Sequence, residues 1–147
     1  MRKFSSADDV LDYAITREIE AHDFYLELAD FVEEPEMAEI LSNLALVELG
    51  HKEKLESVKA GNIIFDPDEI AGIGITEKVE KIEPDAKMDY LELLILGMKK
   101  EEQSRLLYSN LASISQNQQI KNIFLKLAME EAGHKLRFEI EYELRTF

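Results

Sequence analysis

The chain has 147 residues, 46% of them apolar and 33% charged, enough for one domain with a real core and the balance of a soluble helical protein rather than a disordered one. Its formal net charge of -14 repels phosphate backbones and anionic lipid, so neither nucleic acid nor a membrane is an expected partner. The lack of Cys rules out disulfides, thiolate metal sites, iron–sulfur clusters and a Cys nucleophile. Met1 to Asp9 contain no apolar signal core, and no stretch approaches the ~18 apolar residues of a spanning helix, so the expected location is cytoplasmic.

Ser5 or Ser6 can cap a first helix over 6–33, with Asp8 and Asp9 at its positive end. Leu11, Ala14, Ile15, Glu18, His22, Tyr25, Leu28, Ala29 and Val32 follow a helical stripe along it. Pro35 is placed to open a second helix over 35–60, with a stripe of Met37, Ile40, Leu41, Leu44, Val47, Glu48, His51, Leu55 and Val58. Gly61, Pro67, Gly72, Gly74 and Pro84 punctuate residues 61–86, a connection too long for a hairpin. A third helix is expected over 87–114, with Leu94, Met98, Glu101, Ser104, Tyr108 and Leu111 on one face. The polar turn Ser115-Gln116-Asn117-Gln118 leads to a fourth over 118–145, carrying Ile123, Phe124, Leu127, Glu131, His134, Phe138 and Tyr142. Two short-linked helix pairs joined by one long crossover, between helices 2 and 3, make an all-α, ferritin-like four-helix bundle, a single domain over 1–147.

The two halves repeat. A shift of 83 residues lays Asn43–Lys52 on Lys126–Lys135 with six of ten positions identical, and also puts Glu18 on Glu101 and Tyr25 on Tyr108 without a gap. Duplication of a helical hairpin is the economical reading. Glu48 and His51 stand three residues apart and so share a helix face, as do Glu131 and His134. All four Glu interrupt apolar stripes, where an unpaired carboxylate costs several kcal/mol. A pair of divalent cations removes that cost. Glu from two helices with Glu-x-x-His from two others is the donor set of di-iron and di-manganese carboxylate bundles.

Arg17-Glu18-Ile19-Glu20-Ala21-His22-Asp23-Phe24-Tyr25, both Glu-x-x-His motifs and Glu101 to Tyr108 together resemble the rubrerythrin family and its ferritin-like relatives over essentially the whole chain. The resemblance implies bridging roles for Glu48 and Glu131, terminal ligation by Glu18 and Glu101, and one metal each for His51 and His134. It also implies that Tyr25 and Tyr108 hydrogen-bond carboxylates across the site. Two positions depart from the family pattern. Rubrerythrins proper carry a Cys-rich rubredoxin domain, and a chain without Cys needs a separate electron-donor protein. Where rubrerythrins have an extra carboxylate one turn after the third-helix Glu, this chain has Ser104, which favours a symmetric site of six ligands.

Several side chains also have a plain structural reading. Tyr25 and Tyr108 suit core aromatics with a satisfied hydroxyl. His22, four residues after Glu18, could approach the site as an outer ligand, but it aligns with Arg105, which cannot ligate, and the structural reading is preferred. Glu20, Glu53, Glu102 and Glu130 neighbour the ligands on other helix faces and are expected in solvent, with Glu102 the rival to Glu101 for the third-helix ligand. The expected activity is a non-haem di-iron oxidoreductase with two Fe ions (Mn or Zn being alternatives) that reduces H2O2 or O2. The alternative is a ferroxidase or iron-storage protein. Assembly as a homodimer or larger homo-oligomer is expected.

Overall fold

The computed structural model describes residues 6–61, 83–85, 87–115 and 117–147. Helix α1 (Ala7–Phe31) begins where the Ser6 hydroxyl accepts from the amide of Asp9, and it stops at the extended backbone of Val32. Pro35 opens α2 (Pro35–Ala60), where its missing amide proton has no helical carbonyl to bond. Helix α3 (Tyr90–Ile114) starts three residues later than the stripe implies, because the Asp89 carboxylate caps the amide of Glu92 at 2.9 Å. Asn117 caps α4 (Gln118–Thr146) by accepting from Gln119 and Ile120.

These four helices form a bundle, with no strand among the described residues. Each terminus has its own apolar cluster. One joins Val10, Leu11 and Ala14 of α1 to Leu55 and Val58 of α2, Tyr108 and Leu111 of α3, and Phe124 and Leu127 of α4. The other joins Phe24, Tyr25 and Leu28 to Met37, Leu41 and Leu44, then to Leu93, Leu94 and Phe138. The start of α1 therefore lies beside the end of α2 and the end of α3, and α1 runs antiparallel to both. The end of α2 and the start of α3 consequently lie at opposite ends of the bundle, about 38 Å apart at 1.5 Å per residue over 25 residues. The expected crossover falls largely on residues 62–82 and 86, which lie outside the described residues. Between the two clusters the core turns polar: Glu18, Glu48, His51, Glu101 and Glu131 are all buried. No described helix is long and apolar enough to cross a membrane.

Candidate metal centre

Glu18 and Glu101 come from α1 and α3, and the two Glu-x-x-His pairs from α2 and α4. Because α1 runs antiparallel to α3, repeat-related residues meet only near the middle of the bundle, where Glu18 faces Glu101 and His51 faces His134. The structure brings all six expected ligands together in two overlapping groups. One is Glu18, Glu48, His51 and Glu131; the other is Glu48, Glu101, Glu131 and His134; within each group one donor atom per residue lies within 4.8 Å of the others. Only Glu48 and Glu131 belong to both. The imidazoles of His51 and His134 lie nearly parallel across the site, with ring centroids 6.4 Å apart.

The hydrogen bonds divide the four carboxylates into two pairs. Tyr108 donates its hydroxyl to Glu18 Oε1, and Tyr25 donates to Glu101 Oε1, a reciprocal exchange between α1 and α3. Glu18 and Glu101 thus each have one oxygen occupied, while Glu18 Oε2 and Glu101 Oε2 have no hydrogen-bond partner among the described residues. On Glu48 and Glu131 both oxygens lack one. The same holds for Nδ1 of His51 and His134; His51 Nδ1 is 2.8 Å from Glu131 Oε1, but the pair is not aligned as a hydrogen bond. Buried polar atoms without partners are rare because each costs about 1–3 kcal/mol. Eight of them converging on one point fit cations: two carboxylates open at both oxygens, two open at one, and two imidazole nitrogens.

Electrostatics in the protein without metal reflect the same crowding. Burial, then the neighbouring Glu48, raises Glu18 well above the carboxylate range; burial and Glu101 do the same to Glu131. Burial also raises Glu48, but its close neighbours Glu18, His134 and His51 together outweigh it and hold that carboxyl low. Burial disfavours charge on both histidines, yet Glu131, Glu18 and Glu48 push His51 up strongly, and Glu101 and Glu48 push His134 to about 9. Bound protons thus relieve part of the crowding of negative charge in the metal-free protein. Burial first, and then the carboxylates, raise Tyr25 and Tyr108 well above the usual phenol range, so both hydroxyls stay protonated donors.

The remaining candidates fall outside the cluster. His22 Nδ1 lies 3.0 Å from Asp23 at the surface. Glu102 is held to about 2 by Arg105, with Lys135 also bonded to it at 3.1 Å; it is a surface ion-pair centre, and Glu101 is the residue that faces the site. Ser104 is partly exposed and belongs to neither donor group. One expectation needs correcting. Glu130 does not simply face solvent: its Oε2 lies 2.5 Å from Nε2 of His51, the ring nitrogen turned away from the carboxylates. A contact between α4 and α2 brings it there, and periodicity within one helix carries no sign of it. A cleft of about 370 Å³ between α2 and α4 reaches this pair, lined by Gly50, Lys54, Asn122, Lys126 and Leu127.

The profile of the Rubrerythrin family matches residues 9–87 and 92–145. This chain belongs to the rubrerythrin family. Its rubrerythrin-type domain is also similar to the solved structure of a hypothetical protein from Pyrococcus furiosus, at 25% identity and a TM-score of 0.70, over 92% of this chain and 87% of that one. No curated protein matches the chain. Rubrerythrin membership and the buried Glu/His cluster agree that this site can hold metal.

Proposed function

We propose that this rubrerythrin-family chain is a non-haem di-iron oxidoreductase that reduces H2O2 or O2 in the cytoplasm with electrons from a separate donor protein. The observation that carries the reading is the convergence of eight unpartnered donor atoms from six residues at the centre of an otherwise apolar bundle. Glu18, Glu48, His51 and Glu131 would hold one ion; Glu48, Glu101, Glu131 and His134 would hold the other. Imidazole and carboxylate donors suit Fe, with Mn and Zn compatible with the same set. When bound, two Fe(II) ions together supply the two electrons that cleave an O–O bond without releasing a radical.

The side chains do the rest. Tyr25 and Tyr108 fix the terminal carboxylates and keep one oxygen of each from turning toward a cation. Leu55, Leu111, Phe124 and Phe138 pack the bundle on either side of the polar layer and exclude bulk water from it. The cleft beside His51, about 370 Å³, has the volume to admit an oxidant of two oxygen atoms.

Metal quantitation on protein purified without added metal, followed by anaerobic Fe(II) loading and rapid mixing with H2O2 or O2, tests the proposal. About two Fe per chain and fast oxidation by peroxide support it. Oxidation by O2 alone with iron accumulating well beyond two per chain would favour a ferroxidase or storage role instead. Tightly held zinc with no response to either oxidant would overturn the redox reading.

A further inference from the structure

The 83-residue repeat makes the two halves of the site nearly equivalent, so any difference between them stands out. The tyrosine hydrogen bonds are exchanged symmetrically, and so are the terminal and bridging carboxylates. The histidines are not. His51 Nε2 meets Glu130 at 2.5 Å, and its side chain is 6% exposed. The residue that corresponds to Glu130 in the first half is Val47, and among the described residues no carboxylate takes Nε2 of His134, whose side chain is 17% exposed.

A carboxylate on the outer nitrogen of a ligating histidine has three effects. It holds the proton on Nε2 and so leaves the Nδ1 lone pair for the cation; it fixes the ring plane; and it raises the basicity of the ligand. We infer that Glu130 is a positioning residue that makes the two metal positions unequal. The position served by His51 fills first and holds its ion more tightly, and the position served by His134 fills second and exchanges faster. The inequality arises from one substituted repeat position, Glu130 against Val47, and not from the six ligands themselves. The inference rests on the proposal that those six residues bind metal.

Anaerobic titration with Co(II), followed by its visible absorption and by calorimetry, separates the two steps. The protein with its native residues is expected to bind two Co(II) in resolved steps. Glu130→Ala should weaken the tighter step by about 10- to 100-fold, leave the weaker one unchanged and so merge the two. Glu130→Gln, which keeps an acceptor but loses the charge, should fall between. Val47→Glu supplies the missing counterpart and should tighten the weaker step. Circular dichroism checks the fold; if Glu130→Ala fails to fold, Glu130→Gln and Val47→Glu carry the test. Two equal steps before any substitution, or equal weakening of both by loss of Glu130, would overturn the asymmetry while leaving metal binding intact. Failure of the unsubstituted protein to bind Co(II) at all would instead remove the metal reading on which the inference stands.

Discussion

At the scale of single residues, the site is a set of groups that conflict until cations are present. Tyr25 and Tyr108 each take one oxygen, of Glu101 and Glu18 respectively. Tyr25→Phe and Tyr108→Phe should therefore each free one carboxylate oxygen and lower metal affinity by about tenfold. Because the two bonds are repeat-related, the two losses should be similar, which a metal titration of each variant measures. The pH dependence follows from the raised groups. Glu18, Glu131 and His134 hold protons in the folded, metal-free protein to higher pH than in the unfolded chain. The native state then binds more protons than the unfolded state, and stability falls as pH rises. For His134 this contribution is complete below its unfolded value near 6.5 and lost as pH passes about 9. The depressed Glu48 acts the other way, but only below the ordinary carboxylate value. Thermal melts of the metal-free protein should thus show a falling midpoint from about pH 5 to 9. Metal-loaded protein should show the reverse, since cations displace those protons.

The elements show what the duplication kept and what it traded. A Cβ on Gly97 of α3 would come within 2.9 Å of the Phe138 ring, which stacks on Tyr25 at 6.0 Å. In the other half the same two positions are Ala14 and Leu55, both fully buried. A large ring beside glycine in one half thus corresponds to a smaller side chain beside alanine in the other. Gly97→Ala should gain about 1 kcal/mol of helix propensity and lose about 1–3 kcal/mol to overpacking, for a net loss near 1 kcal/mol in denaturant unfolding. Adding Phe138→Leu recreates the pair of the other half and should recover stability relative to Phe138→Leu alone, where glycine leaves a void.

Helix existence and the six converging side chains were legible in the sequence because charged residues inside an apolar stripe are expensive, and their recurrence at one register marks them as a set. Glu130 was not legible. It stands one residue from Glu131, on a flank that only the neighbouring helix defines. Val47 misled in the opposite sense: it belongs to the apolar stripe of α2 by spacing, yet it is 38% exposed because a four-helix packing buries a narrower face than the stripe offers. Asp89 moved the start of α3 because a side-chain cap, not periodicity, decides where a helix begins.

For the whole molecule, α4 presents a second apolar face away from the core. Leu125, Met129, Leu136, Ile140 and Leu144 recur at spacings of four and seven, and all are more than two-fifths exposed. A stripe of exposed apolar side chains is uncommon on a monomer, and we propose a second copy of the chain as its partner. Sedimentation should give a dimer, and the double substitution Met129→Glu, Leu136→Glu should yield a monomer that still binds metal. A monomeric unsubstituted protein would contradict that assembly. Neither result bears on the ligands, since both substituted positions face away from the cluster.

The most direct measurement is a crystal structure of protein loaded anaerobically with Fe(II), with anomalous scattering recorded at the iron edge. Two peaks per chain should appear, each between Glu48 and Glu131, one beside Glu18 and His51 and the other beside Glu101 and His134. No peak in the bundle centre, or iron bound only by surface carboxylates, would contradict the assignment.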